Sequence, residues 1–117
     1  MCHVLVIEDD WLIADHIISL IQQAGATSYD QADCETDAVV AAGAHIPDMI
    51  VSDVRLREGT GPLAVQRIIA AHGNIPVMFI TGTPEACVPC DPPAEVLDKP
   101  ILEAVVLETF RRLAPHR

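Results

Sequence analysis

Carboxylates close two of the apolar runs in this chain, and a lysine joins them late in the sequence. Val4-Leu5-Val6-Ile7 runs into Glu8-Asp9-Asp10, and Met49-Ile50-Val51-Ser52 runs into Asp53. Val77-Met78-Phe79-Ile80 ends in Thr81-Gly82, and the shorter Val96-Leu97-Asp98 ends in Lys99-Pro100. An acid cluster with a lysine and a hydroxyl suits a divalent metal and a phosphoryl group. Carboxylate oxygens are the donors a hard cation prefers, and a cation and a hydroxyl can meet phosphoryl oxygens. Buried-strand signals that each close on a polar group imply one polar site at one edge of a parallel sheet. That is the edge at which open α/β sheets bind ligands.

The elements that must position these groups follow from periodicity and turn residues. Residues 3–8 read as a buried strand. From Trp11 to Ala24, apolar residues fall at 12, 13, 17, 18, 20 and 21, which is helical spacing. Asp9 or Asp10 can cap that helix, and Gly25 ends it. Residues 27–31 are more polar and suit an edge strand, and 35–43 form an Ala/Val-rich helix closing at Gly43. Pro47 starts the strand that reaches Asp53, and Gly59 and Gly61 give turn freedom to a loop over 54–61. Pro62 suits the first turn of a helix that runs to His72 and stops at Gly73. Residues 75–80 form the next strand. Pro84, Pro89, Pro92 and Pro93 then oppose a long helix over 82–95. A short strand at 96–98 precedes an amphipathic helix over 101–113, whose basic end (Arg111, Arg112) suits the helix dipole. Alternating strands and helices predict an α/β fold, a parallel sheet with right-handed crossovers and helices on both faces.

A chain of 117 residues reads as one domain, 1–117, and with half of it apolar it can bury a real core. Aromatics are only 3%, so that core is built from Val, Ile, Leu and Ala. Seven basic residues against 17 acidic ones give −10. That argues against nucleic acid and against an anionic membrane surface, both of which need clustered Lys and Arg. No segment resembles a signal peptide or a membrane span, so a cytoplasmic location is expected. Cys2, Cys34, Cys87 and Cys90 then read as reduced thiols. Cys87-Val88-Pro89-Cys90 has C-x-x-C spacing but no second ligand pair, and reads as incidental thiols in a loop. The five histidines are scattered and read as surface or cap residues.

Taken together, Glu8-Asp9, Asp53, Thr81 and Lys99-Pro100 resemble the receiver domain of two-component response regulators over essentially the whole chain. The resemblance implies the flavodoxin-like (βα)5 doubly wound sheet with strand order 2-1-3-4-5 and no attached effector domain. It implies Asp53 as phosphoryl acceptor, a carboxylate acting as nucleophile. It implies Mg²⁺ held by Glu8, Asp9, Asp53 and the backbone carbonyl of Arg55. Thr81 and Lys99 would contact the phosphoryl group, and the Lys99-Pro100 bond would be cis. The donor would be a histidine kinase or a phosphotransfer protein. Output would pass through contacts with another protein, by a monomer or a weak dimer. The chain would catalyse only its own phosphorylation and dephosphorylation.

Pro76 to Gly82 is also similar to the Phe-x-Thr-Gly signature of the single-domain FAT GUY receivers of stress phosphorelays, which share a short, irregular fourth helix. One position departs from the wider family: Val96 stands where many receivers carry the Tyr or Phe that turns inward on activation. Val96 has no ring to turn, so the aromatic–hydroxyl readout is expected to be replaced by another. Arg55 and Gly82 occupy positions that tune phosphoryl lifetime in the family.

Other chemistries fit less well. A phosphatase or dehalogenase-type enzyme would place its general acid two residues after Asp53, where Arg55 stands. A flavodoxin-like cofactor binder would need a glycine- or hydroxyl-rich phosphate loop after the first strand, where acids stand instead. The alternative within the same family is a degenerate receiver that docks partners without being phosphorylated.

Overall fold

The computed structural model describes residues 2–87 and 94–114. Five strands, β1 (His3–Ile7), β2 (Ser28–Ala32), β3 (Met49–Ser52), β4 (Val77–Thr81) and β5 (Glu95–Asp98), form one parallel sheet in the order β2-β1-β3-β4-β5. Four α-helices connect or follow them: α1 (Trp11–Ala24), α2 (Glu35–Ala44), α3 (Gly61–His72) and α4 (Glu103–Leu113). Between β4 and β5 the described residues hold only a 3₁₀ turn, Pro84–Ala86. This is the flavodoxin-like order.

Local chemistry fixes most boundaries. The Asp10 carboxylate accepts from the amides of Leu12 and Ile13 and so caps α1. Gly25 closes that helix at φ 122°, a conformation that costs an L side chain dearly. Thr60 caps α3 by accepting from the Leu63 amide. Expectation and structure part at Gly43. The helix runs through it to Ala44 and is capped by His45, whose amide donates to the Ala41 carbonyl. A glycine stops a helix when the chain leaves through positive φ, and Gly43 does not take that conformation.

Alternation along the strands divides the core in two. Leu5, Ile7, Ile50 and Phe79 pack on one face with Ala38 and Ala42 of α2 and Ala64, Val65 and Ile68 of α3. Val4, Val6, Met49, Val51, Met78 and Ile80 pack on the other with Ile17, Ile18, Leu20 and Ile21 of α1 and Val106 and Phe110 of α4. β1, β3 and β4 are buried throughout, while β5 alternates half-buried and exposed residues. No helix among the described residues is long and apolar enough to cross a membrane.

Two side-chain expectations are corrected. His3 is no surface residue: it is buried, with Nδ1 2.7 Å from Ser28 Oγ and Nε2 2.9 Å from Asp30 Oδ2. The parallel register that sets His3 opposite Ser28 brings those partners within reach. His45 stacks on its ring at 3.5 Å between centroids. Cys2 and Cys34 remain thiols, but Cys87 is disulfide-bonded. Composition argues about a compartment, whereas a disulfide depends on where two sulfurs are placed. Cys90, and with it the second half of the C-x-x-C, lies outside the described residues.

Phe110 is the largest side chain of the α1/α4 face, at 1% exposure. Phe110→Ala should lower the unfolding free energy by about 3–5 kcal/mol through lost burial and the cavity left behind. Exposed Val40→Ala should stay within about 0.5 kcal/mol. Urea denaturation checks both.

Candidate functional site

Register brings the polar strand ends together. Ile7 of β1 faces Ser52 of β3, so the next residue on each, Glu8 and Asp53, leaves the sheet side by side. The ladder continues one step to hold them: the Glu8 amide donates to Ala32 O at 2.9 Å and the Asp53 amide to Ile7 O at 2.8 Å. On the other side, Thr81 of β4 faces Asp98 of β5, and the Lys99 amide donates to Thr81 O at 2.8 Å. Glu8, Asp53, Thr81 and Lys99 therefore share the carboxyl-terminal edge of the sheet.

The Lys99 ammonium lies between two carboxylates, with Nζ 3.0 Å from Asp53 Oδ2 and 3.3 Å from Glu8 Oε1. Asp53 Oδ1 accepts from the Val54 amide at 2.7 Å, and Glu8 Oε2 accepts from the Asp10 amide at 3.2 Å. Glu8 is 1% exposed and Asp53 9%. Among the described residues no buried side-chain nitrogen or oxygen lacks a hydrogen-bond partner. One oxygen each from Glu8, Asp9 and Asp53 lies within 4.8 Å of the others.

Three acids gather around one ammonium, with Glu8 and Asp53 buried and Asp9 and Lys99 half-buried. Burial, and then repulsion from Asp53, pushes the Glu8 carboxyl up to about 7, against the pull of the Asp10 amide and Lys99. Burial alone would lower Lys99, but its hydrogen bond to Asp53 and the charges of Glu8 and Asp53 outweigh that and raise it. Carboxylate oxygens of Glu8, Asp9 and Asp53 gathered this closely are the donor set that fits a hard divalent cation such as Mg²⁺.

The other predicted residues are placed differently. Thr81 is buried, and its Oγ1 accepts from the Thr83 amide at 2.9 Å and lies 3.3 Å from Thr83 Oγ1, so it turns along its own strand end. Arg55 forms an antiparallel bridge with Thr60, and its side chain is exposed. Val96, opposite Phe79 in the sheet, is 38% exposed. The Lys99-Pro100 bond is cis. Trp11 begins α1 beyond the acids and is exposed rather than packed.

Sequence reasoning missed two supports of Asp53. Ser52 Oγ donates to the Asp53 carbonyl oxygen at 2.7 Å. Gly61 is there for close approach rather than turn freedom: a Cβ on it would run into the Asp53 carbonyl oxygen and Ser52 Oγ. A glycine directly before Pro62 at a helix start was the one signal available.

Known proteins share this fold. The family model of the response regulator receiver domain matches residues 4–88. The phyllosphere-induced regulator PhyR of Methylorubrum extorquens is 32% identical over 83 residues, 70% of this chain and 31% of that protein. Protein Rrf1 of Nitratidesulfovibrio vulgaris is 34% identical over 80 residues, 67% of this chain and 57% of that protein. These matches thus span less than two thirds of either relative. The solution structure of the PhyR response regulator receiver domain of Erythrobacter litoralis superposes with a TM-score of 0.85 at 28% identity, covering 99% of this chain and 95% of that one.

Two outcomes follow from the site. Glu8 binds its proton more tightly folded than unfolded, so its contribution to stability is present below pH 4.5 and lost as pH rises to about 7. Without divalent cations, the stability of wild type relative to Glu8→Gln should fall by on the order of 2–3 kcal/mol over that range, read by urea unfolding at each pH. Gly61→Ala should cost at least about 2 kcal/mol, because the neighbours it meets include backbone that cannot step aside.

Proposed function

The chain belongs to the response regulator receiver family, and we propose that it accepts a phosphoryl group on Asp53 from the phosphohistidine of a kinase or phosphotransfer protein. The observation that carries this reading is the Lys99 ammonium set between the buried carboxylates of Glu8 and Asp53, with Asp9 beside them, at the carboxyl edge of the sheet.

An Asp53 carboxylate oxygen attacks phosphorus while the phosphorus–nitrogen bond of the donor breaks, and the bonding pair returns to the imidazole nitrogen. The Val54 amide on Oδ1 and the Lys99 ammonium on Oδ2 fix the orientation of the carboxylate before attack. Glu8, Asp9, Asp53 and the Arg55 carbonyl would hold Mg²⁺, which when bound supplies positive charge to the transferred oxygens. Lys99 is within reach of the charge that arrives on Asp53. Thr81 Oγ1 accepts from the Thr83 amide, and its hydroxyl would turn from Thr83 Oγ1 to donate to a phosphoryl oxygen. The modified state then favours a second arrangement of the segment after β4 and of the β5–α4 face, and a partner protein reads the difference. Val96 offers no aromatic ring to that change, which leaves Thr81 and the backbone after it as the reporting elements. The likeness to stress-phosphorelay receivers supports a role in the general stress response, exercised in the cytoplasm.

The test is a titration of wild type and Asp53→Asn with Mg²⁺ and then beryllofluoride, followed by Trp11 fluorescence. A phosphate-affinity gel after acetyl phosphate treatment runs beside it. Wild type should bind Mg²⁺, saturate with beryllofluoride and shift on the gel, and Asp53→Asn should lose the last two. A wild type silent in both would put phosphorylation-independent docking in place of this mechanism.

A further inference from the structure

The loop between β3 and α3 carries both Asp53 and Arg55, and it is strapped to a helix on which no function has been placed. Glu35, the first residue of α2, reaches across it. Its Oε1 accepts from the Thr60 amide at 3.1 Å, and its Oε2 accepts from Arg67 at 3.2 Å. Its own amide donates to Glu58 O at 3.0 Å. Gly59 passes so close, at φ 74°, that a Cβ there would strike the Glu35 side chain. Neighbours in the same turn help: Arg57 pairs with Asp33 at 3.0 Å, and Thr36 donates to Glu58 Oε1 at 3.1 Å.

The Glu35–Thr60 bond matters most because of what Thr60 does. Thr60 is the bridge partner of Arg55, and its side chain caps α3. The Gly61 amide beyond it donates to Val54 O at 2.8 Å, and Gly61 itself abuts the Asp53 carbonyl. Glu35 is therefore one hydrogen bond away from Thr60, the residue set directly opposite Arg55, and the bond that closes this bridge runs from Gly61 to Val54, next to Asp53. Its side chain is 16% exposed, so water competes little for the contact.

We propose that Glu35 is a positioning residue for the phosphoryl-acceptor site: by fixing the Thr60 amide it holds the Arg55 carbonyl and Asp53 in the geometry that binds the divalent cation. This rests on the phosphoryl-acceptor reading above. Glu35 touches neither cation nor phosphoryl group. Supporting contacts of this kind commonly change metal affinity by about 10–100-fold when removed.

The experiment compares wild type, Glu35→Ala, Glu35→Asp, Glu35→Gln and Arg67→Ala. Mg²⁺ affinity is measured by calorimetry, Asp53 modification by acetyl phosphate on the gel, Thr60 amide exchange by NMR, and folding by urea unfolding. Glu35→Ala, and Glu35→Asp with its shorter reach, should weaken Mg²⁺ about tenfold, slow modification and speed Thr60 exchange. Glu35→Gln keeps an oxygen for the Thr60 amide, and Arg67→Ala keeps the bond itself, so both should stay within about threefold of wild type. The inference is overturned if whichever of Glu35→Ala and Glu35→Asp folds matches wild type, or if Arg67→Ala loses as much affinity as either. It is overturned also if neither folds while Glu35→Gln binds Mg²⁺ as poorly as a site without the carbonyl. A wild type that neither binds Mg²⁺ nor accepts the phosphoryl group would sink the phosphoryl-acceptor reading, and this inference with it.

Discussion

One ammonium group, Lys99 Nζ, stands between two carboxylates that are almost closed to water. Acids so placed repel each other and lose hydration, and the protein meets the cost with a cation from a different strand. That cation arrives late in the chain, one residue past the least buried strand, and it is the pairing of β5 with β4 that brings it to Glu8 and Asp53. The site is thus a condition on the fold as much as a product of it. Lys99 does not offset that cost fully: burial and the repulsion from Asp53 still push the Glu8 carboxyl up to about 7.

The rest of the architecture serves that edge by being dull. β1, β3 and β4 are buried throughout, and helices cover both faces. Low-dielectric walls strengthen every charge interaction at the strand ends, attractive or repulsive. Small residues at Ala38, Ala42 and Ala64 let α2 and α3 lie close against the sheet. That closeness is what allows an α2 side chain to touch a loop belonging to β3.

The pieces legible in the sequence were those governed by local rules. Apolar runs gave the strands, 3.6-residue spacing gave α1 and α4, and Asp10, Gly25 and Gly73 marked helix ends because capping depends on neighbours in the chain. Glu8, Asp53, Thr81 and Lys99 were legible because each closes its own strand, and parallel register alone brings strand ends to one edge. What depends on residues far apart in sequence was not legible. His3 reads as an ordinary polar residue until β2 supplies Ser28 and Asp30. Glu35 reads as a helix-start acid until the loop after β3 folds over it. Gly43 reads as a stop because composition cannot reveal a dihedral angle. The inward turn of Thr81 toward Thr83 is likewise a tertiary choice.

The order of the sheet puts β2 and β5 on its two rims, and both are written in a different alphabet from the strands between them. β2 reads Ser-Tyr-Asp-Gln-Ala, and β5 begins and ends in acids, Glu95 and Asp98. A rim strand exposes a row of unpaired amides and carbonyls that another chain could extend into a fibre. Apolar, flat rims invite that growth, and charged ones repel an identical neighbour. Asp30, Glu95 and Asp98 place carboxylates on both rims, so each edge of this sheet is a poor template for a second copy.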